Sequence, residues 1–108
     1  MIIRTWRGAV RVQDAEEYLQ HQAETGVREY RDTPGNLGVL VLRRPQEDLV
    51  EITTVSFWNS MDAIRAFAGD NPEQARFYAG DDNLLVEMDT QACHYEVVSS
   101  DPDPLLGG

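Results

Sequence analysis

The sequence predicts an α+β fold of the ferredoxin-like, split βαβ type, with a four-stranded antiparallel sheet. Three observations predict it: two runs of alternating residues, a polar turn joining adjacent strands, and amphipathic segments of helical period between strands. The resulting order is strand, helix, strand, strand, helix, short helix, strand. The chain has 108 residues, enough for one core. We assign residues 1–98 to a single domain and residues 99–108 to a disordered tail.

The first strand and helix follow from the N-terminal third of the chain. Residues 2–12 alternate and contain β-branched and aromatic side chains, which favours a strand. One face of that strand would present Ile2, Arg4, Trp6, Gly8 and Val10. Asp14 is then expected to cap a helix, with Glu17 completing a capping box. The apolar stripe of this helix runs as far as Tyr30 and includes Gln22.

A hairpin and a second helix occupy the middle of the chain. Residues 37–44 and 49–58 read as strands, and the polar segment 45–48 between them predicts a hairpin. Ser60, or Asn59, should cap the next helix, whose stripe includes Phe67. Asn71 and Pro72 are typical of a new helix start, so a further short helix is expected to reach Phe77 or Tyr78. Residues 80–83 are read as a loop that interrupts the chain before the apolar segment 84–88, and the last strand is predicted over residues 92–98.

Charge and composition exclude several classes of function. The net charge is −10, from 19 acidic and 9 basic residues, and such a surface repels phosphate backbones, so we expect no nucleic-acid partner. No stretch approaches the roughly 18 apolar residues of a membrane span. Cys93 is the single cysteine and is read as a small hydrophobic residue. Without a leader-like segment or a membrane span, we expect a cytoplasmic protein.

Several segments carry a likeness to a known family. They are Trp6 in the first strand, residues 30–36, residues 55–60 with Trp58, residues 63–68 with Phe67, and residues 94–97. In this order they resemble the antibiotic biosynthesis monooxygenase-like family of the dimeric α+β barrel superfamily, over nearly the whole chain. The resemblance implies a homodimer with one pocket per subunit, between the helices and the sheet. It also implies oxygenation of polyketide-derived phenols and quinones without a cofactor, or degradation of haem.

The haem-degrading branch does not match residue by residue. The resemblance implies an iron-binding His, a second-helix Trp and a first-strand Asn. The corresponding positions here hold Phe77, Phe67 and Trp6. No metal site and no bound cofactor are therefore expected, because two histidines without paired spacing offer no ligand set.

Candidate site residues follow from chemistry within this frame. Tyr78 could donate a hydrogen bond to a phenolate oxygen, and His94 is the candidate general base because its ordinary pKa is near neutrality. Arg4, Trp6, Trp58 and Phe67 are candidate substrate-binding residues, with Arg4 able to hold an anionic group. Structural roles remain open for each, including core packing for Trp58 and a dimer contact for His94.

The sequence predicts a cofactor-independent monooxygenase-like protein acting on a hydrophobic, aromatic or polyketide-like small molecule. A non-redox isomerase or cyclase on the same scaffold is one alternative, and a non-catalytic small-molecule-binding or stress protein is another. An enzyme should show a solvent-accessible cavity of roughly a few hundred cubic ångströms among these aromatic residues. A filled interior would argue against the oxygenase and leave a dimeric protein that acts, if at all, through its surface.

Overall fold

A central strand, β1 (Ile2–Arg11), organises the sheet of the computed structural model, which describes residues 1–102. β1 pairs antiparallel along its length with β3 (Leu49–Trp58), and β3 pairs antiparallel with β2 (Asn36–Gln46). The other edge of β1 is shared by two short strands, β4 (Leu85–Met88) and β5 (Cys93–Glu96). The strand order is ferredoxin-like, so the predicted α+β class is confirmed. Its fourth position is divided between two strands.

The predicted tail begins where regular structure ends. Residues 99–102 form neither helix nor strand. The remainder of the predicted tail, residues 103–108, lies outside the described residues.

The first helical region is broken, although the sequence predicts one continuous helix. It consists of α1 (Ala15–Glu24) and α2 (Gly26–Asp32), separated at Thr25, which has φ −116° and ψ −88°. A Cβ atom at Gly26 would lie 3.5 Å from the ring of Tyr78, so the backbone at the start of α2 lies close to the Tyr78 side chain.

The predicted capping box at Asp14 is wrong. A turn of 3-10 helix, Val12–Asp14, leads directly into α1, and Asp14 itself has helical backbone angles. Its side chain makes no capping hydrogen bond and lies 3.8 Å from Arg11 instead. The chain therefore enters α1 without the extended residue that a capping box requires.

The second amphipathic helix, α3 (Met61–Ala68), begins as predicted. Ser60 is extended, and its hydroxyl oxygen accepts a hydrogen bond of 3.1 Å from the backbone N–H of Ala63. Ile64 and Phe67 point into the core, where they pack with Trp58. The cap and the apolar stripe together fix this helix over one end of the sheet.

Residues 70–80, which we call the strap, contain no helix, so the short helix predicted from Asn71 is wrong. The strap's backbone bonds to residues 90–92 instead: Ala92 N–H donates to Glu73 O at 2.7 Å, and Ala75 N–H donates to Thr90 O at 2.9 Å. These tertiary bonds override the local helix signal. A one-turn helix, α4 (Asp81–Leu84), follows the strap at the position predicted to be a loop.

The helices cover one face of the sheet and pack over two apolar clusters. One is formed by Val10, Ala15, Tyr18, Ile52 and Leu85. The other is formed by Tyr30, Trp58, Ala63, Ile64 and Phe67. Polar residues of β1, β3 and α1 meet beside both clusters, and the candidate site lies there.

The opposite face of the sheet, which we call the open face, has no helix over it in the described chain. Leu40, Leu42 and Tyr95 on this face are 49%, 48% and 55% exposed. Beside them, the Glu51 carboxylate accepts from Arg7 Nε at 2.6 Å and from Arg44 Nε at 2.8 Å. Hydrogen bonds from these two arginines lower the pKa of Glu51, so it stays ionised.

Membrane spanning by a helix is not supported. Within residues 1–102, every helix is too short or too polar to cross a bilayer.

The N-cap of α3 gives a test of this local structure. Replacing Ser60→Ala should lower the free energy of unfolding by about 1 kcal/mol, because the N–H of Ala63 loses its acceptor. Urea denaturation of the variant measures the change. Ser99→Ala, at an exposed position outside helices and strands, is the matched control and should change stability little. Equal stability of the two variants would contradict a capping role.

Candidate functional site

A cavity of about 30 Å³ lies between the helices and the sheet. This is room for about two water molecules, and far less than a drug-sized ligand fills. The interior therefore does not meet the expectation of an open pocket; in this conformation it is closed. The residues that line it are Arg4, Trp6, Tyr18, Gln22, Thr25, Gly26, Tyr30, Thr54, Phe67, Arg76, Tyr78 and Asp81.

Larger depressions lie on the surface and are broad and open to solvent. Two of them, of about 300 Å³ and about 340 Å³, lie between α1 and the β2 edge of the sheet, and aliphatic side chains and arginine stems form most of their walls. A third, of about 380 Å³, has a mainly charged and polar lining, which suits a hydrophobic ligand poorly; it is lined by Glu24, Thr25, Arg28, Glu29, Asp32 and Tyr78. We place the candidate site at the interior cavity, where aromatic rings and buried polar groups meet.

Arg4 is a buried cation that lines the cavity. It is 2% exposed. Its Nη1 donates to the hydroxyl of Tyr30 at 3.3 Å, and its Nη2 donates to the backbone carbonyl of Gln74 in the strap at 3.2 Å. The guanidinium also lies 5.4 Å from the ring centre of Phe67, in cation–π range.

An aromatic cluster forms the wall beside Arg4. The Tyr30 ring lies 4.5 Å from Phe67 and 5.9 Å from Trp58, centre to centre. Trp58 is fully buried behind these rings and does not line the cavity. Its indole N–H donates to Ser56 Oγ at 2.9 Å, and that hydroxyl donates to the backbone carbonyl of Arg4 at 3.3 Å. Trp58 thus supports the strand that holds Arg4.

The strap closes the cavity through Tyr78 and Arg76. The Tyr78 hydroxyl donates to a Glu29 carboxylate oxygen at 2.8 Å, and Arg76 Nη2 lies 2.8 Å from the other oxygen. Burial and the neighbouring Glu29 carboxylate raise the pKa of Tyr78. Tyr78 therefore remains a hydrogen-bond donor at neutral pH. Arg76 also stacks near Phe67, with its guanidinium carbon 5.6 Å from the ring centre.

The His21 and Asp81 side chains connect α1 to the residue that follows the strap. His21 Nε2 lies 2.7 Å from one oxygen of the buried Asp81 carboxylate. The other Asp81 oxygen accepts from the backbone N–H of Tyr78 at 2.8 Å. Gly80, with φ 98°, comes close to the His21 ring, since a Cβ there would lie 3.4 Å from a ring carbon.

His94 lies beside the site and does not line the cavity. It sits on β5 directly opposite Arg4 of β1, and its Nε2 is buried with no hydrogen-bond partner in the described chain. Burial, together with the positive charge of Arg4, lowers the pKa of His94, and Glu73 partly offsets this. A neutral imidazole results at neutral pH.

The structure brings together four of the six residues singled out in the sequence. Arg4, Trp6, Phe67 and Tyr78 line one cavity, while Trp58 and His94 lie behind it. The Trp6 indole N–H donates to Asp89 O at 2.8 Å. Sequence reasoning did not single out Glu29, Arg76, His21 or Asp81 as parts of the site. Gln22 carried a usable signal, because it is a polar residue within an apolar helical stripe.

Haem does not fit this site. Phe77 has no atom that could bind iron, and the Nε2 atom of His21 already contacts the Asp81 carboxylate. A cavity of about 30 Å³ also has no space for a porphyrin. No group of three or more His, Cys, Asp or Glu residues is placed to hold a metal ion in residues 1–102.

The environment of His94 predicts a pH dependence. Its pKa in the folded protein should fall below the ordinary value of 6.5. Below about pH 6.5 the unfolded chain then binds this proton more readily than the folded protein, so stability should fall as pH decreases through that range. NMR titration of the imidazole gives the pKa. Urea unfolding between pH 5 and 7 should show that the free energy of unfolding depends less on pH in His94→Gln than in the wild type. A pKa of His94 at or above 6.5 in the folded protein would contradict this prediction.

Comparison with known proteins gives the relationships of the chain. The antibiotic biosynthesis monooxygenase family matches residues 1–79. A proposed antibiotic biosynthesis monooxygenase from Bacillus cereus is 19% identical over 92% of this chain and 94% of its own, with TM-score 0.65. MhuD, a heme degrader from Mycobacterium tuberculosis solved with two hemes in its active site, is 18% identical over 93% and 98%, with TM-score 0.62.

Rv0793 from Mycobacterium tuberculosis is 13% identical over 92% of this chain and 96% of its own, with TM-score 0.59. No curated protein sequence matches the chain. At these identities the solved structures support the fold alone. The family match covers most of the chain, from the start of β1 to the end of the strap. The chain therefore belongs to the antibiotic biosynthesis monooxygenase family.

Proposed function

We propose that this protein is a cytoplasmic, cofactor-independent monooxygenase that acts on a hydrophobic, aromatic or polyketide-like small molecule. The observation that supports this is a single interior site at which aromatic rings surround a buried guanidinium. Trp6, Tyr30, Phe67 and Tyr78 would bind the flat body of a substrate, while Arg4 would stabilise its anionic oxygen. The lone thiol, Cys93, suits a reducing compartment.

The reaction needs no external electron donor. An ionised phenol or anthrone reacts with O₂ at an activated ring carbon and becomes a quinone. The substrate gains one oxygen atom and loses two hydrogens, and the second oxygen atom leaves as water with those hydrogens. The substrate supplies all the electrons, so the protein has to bind, orient and ionise it, and to exclude water.

Tyr78 and His94 are the proposed catalytic residues. Tyr78 stays protonated and would transfer its hydrogen bond from Glu29 to the substrate oxygen. His94 stays neutral and would accept the substrate proton. His94 does not line the closed cavity, and its Nε2 is buried, so access of the substrate to this base requires a rearrangement at the site.

Substrate entry requires the strap to move. The strap lacks helix and strand, and side-chain contacts from Arg76 and Tyr78 to Glu29 hold it over the cavity. Breaking them would uncover Phe67 and Arg4. Lids of this kind open on microsecond to millisecond timescales in many enzymes.

Binding without turnover is the second candidate function. It is favoured because no uncommitted carboxylate or imidazole is found among the residues that line the cavity. An isomerase or cyclase on the same scaffold would need the base but no oxygen. Oxygen consumption separates the oxygenase from both alternatives, and chemical conversion of the ligand without oxygen consumption separates an isomerase or cyclase from binding alone.

Homodimerisation is also part of the proposal. The exposed apolar side chains Leu40, Leu42 and Tyr95 lie on the open face, which has no cover of its own. A second copy that brings its open face to this one would bury them. Each subunit would then keep a separate cavity on its helix-covered face.

Oxygen uptake with anthrone tests the reaction. We expect the protein to consume one O₂ for each anthraquinone formed, with no hydrogen peroxide. Tyr78→Phe should lower kcat by about tenfold or more, because the substrate anion loses a donor. His94→Gln should lower it by roughly a hundredfold, because the base is lost.

Tyr95→Phe, on the exposed open face, is the control for Tyr78→Phe and should leave the rate near that of the wild type. If anthrone binds but is not consumed, the oxygenase proposal is rejected and the binding function takes its place. Equal loss of rate in both tyrosine variants would remove Tyr78 from its proposed role.

The dimer is tested by sedimentation equilibrium. Wild-type protein should have twice the chain mass, and Leu42→Glu should weaken association at least about tenfold, because a charge would be buried in the interface. Val12→Glu, which places the same charge on an exposed residue outside the sheet, should not. A monomeric wild type across the accessible concentration range would refute this part of the proposal.

A further inference from the structure

Arg4 is a buried cation whose charge is not matched within the described chain. It is 2% exposed. A guanidinium cannot lose its proton at physiological pH, so burial leaves it charged. Yet the ion pairs formed by residues 1–102 do not include Arg4. An uncompensated buried charge is strongly destabilising, which makes this position unusual in a chain with 19 acidic residues.

The hydrogen bonds of Arg4 solvate its charge without neutralising it. Its two acceptors, the Tyr30 hydroxyl and the Gln74 carbonyl, are both uncharged. The Nε–H is buried and has no acceptor in the described residues. Arg4 therefore retains both charge and hydrogen-bonding capacity for a further group.

The two carboxylates that hold the strap at the cavity are committed elsewhere, and Glu73, which acts on the neighbouring His94, forms no ion pair with Arg4 in the described residues. Glu29 accepts from Tyr78 and pairs with Arg76. Asp81 accepts from the backbone of Tyr78 and pairs with His21. The contrast between the two arginines beside Phe67 is informative, because Arg76 has a carboxylate and Arg4 has none.

A second buried polar group at the same cavity is incompletely satisfied. Gln22 Nε2 donates to Thr54 Oγ1 at 2.9 Å, whereas Gln22 Oε1 is buried without a partner. If the amide turns over, its oxygen accepts from the Thr54 hydroxyl and its NH₂ becomes available to a ligand oxygen. The cavity has room for about two water-sized atoms, which is what the two oxygens of a carboxylate require.

We propose that the cavity binds the negatively charged head of a planar organic anion, a carboxylate or a phenolate, with Arg4 as its counter-ion. The proposal rests on the proposed function for the position of the site and adds the charge of the ligand. Aromatic rings flank the guanidinium, so the apolar body of the ligand would lie against Phe67 and Tyr30 and extend toward Tyr78. Neutral aromatic molecules of the same shape would leave the charge unmatched and bind less tightly.

Calorimetric titration with 1-naphthoate and 1-naphthamide, which share a shape and differ in charge, tests this inference. Wild-type protein at pH 7 should bind 1-naphthoate at least about tenfold more tightly than the amide, because a charged hydrogen-bonded pair is stronger than a neutral one. Arg4→Met should abolish that preference. Arg65→Met is the control and should keep it, since Arg65 is an exposed arginine of α3 that pairs with Asp62 and does not line the cavity.

A measurement on the wild type keeps the test valid if Arg4→Met does not fold. The Arg4 Nε–H resonance should move downfield when 1-naphthoate binds and should not respond to the amide. Equal affinity for the two ligands, no binding of either, or an unaffected Arg4 resonance would overturn the inference.

The outcome is distinguishable from that of the oxygenase proposal. Arg4-dependent binding of 1-naphthoate without oxygen uptake on anthrone would uphold the anion site and reject the oxygenation. Oxygenation of anthrone together with equal binding of 1-naphthoate and 1-naphthamide would uphold the oxygenation and reject the anion site. For 1-naphthol at a pH above its pKa, an Arg4-dependent gain in affinity would identify phenolate, rather than carboxylate alone, as an acceptable head group.

Discussion

The register between β1 and β3 is the constraint on which the site depends. It places Arg4 opposite Ser56, Trp6 opposite Thr54 and Ile2 opposite Trp58. All of these side chains consequently share the face that the helices cover. Because side chains alternate along a strand, a slip of β1 by one residue would turn the Arg4 guanidinium and the Trp6 indole toward the open face. The Ser56 hydroxyl, which accepts from Trp58 and donates to the Arg4 carbonyl, ties the two strands together at this point.

The site is a polar region between two apolar clusters. One cluster packs around Val10 and Ile52, the other around Trp58 and Ile64, and the polar residues that line the cavity include Gln22, Thr54 and Arg4. Aliphatic side chains in place of these polar residues would give a core with a lower electrostatic cost. Within residues 1–102, buried polar atoms without partners lie on Arg4 and Gln22 in the cavity and on His94 beside it, which is typical of places where stability is exchanged for function.

Local patterns in the sequence were sufficient for the central strands and α3 but not for the strap, the break between α1 and α2, or the contacts between elements. Alternation in residues 2–12 and 49–58 predicted the central strands, and Ser60 predicted the start of α3. The helix predicted from Asn71 and Pro72 does not form, because the backbone of that segment bonds to residues 90–92, which lie far along the chain. The Glu29–Tyr78 and His21–Asp81 contacts join residues 49 and 60 positions apart, and no spacing rule predicts such pairs. The family resemblance predicted where the cavity lies but not that it would be closed.

The side-chain contacts that hold the strap closed affect the apparent affinity for a ligand. In the proposed function, a ligand binds the form in which the contacts of Glu29 with Tyr78 and Arg76, and of His21 with Asp81, have opened, and the closed form competes with it. The apparent association constant then equals the intrinsic constant multiplied by the fraction of receptive molecules. Affinity therefore depends on the groups that meet the ligand and, separately, on His21, which holds the strap closed from α1. Substitution at His21 would change the affinity for every ligand by the same factor.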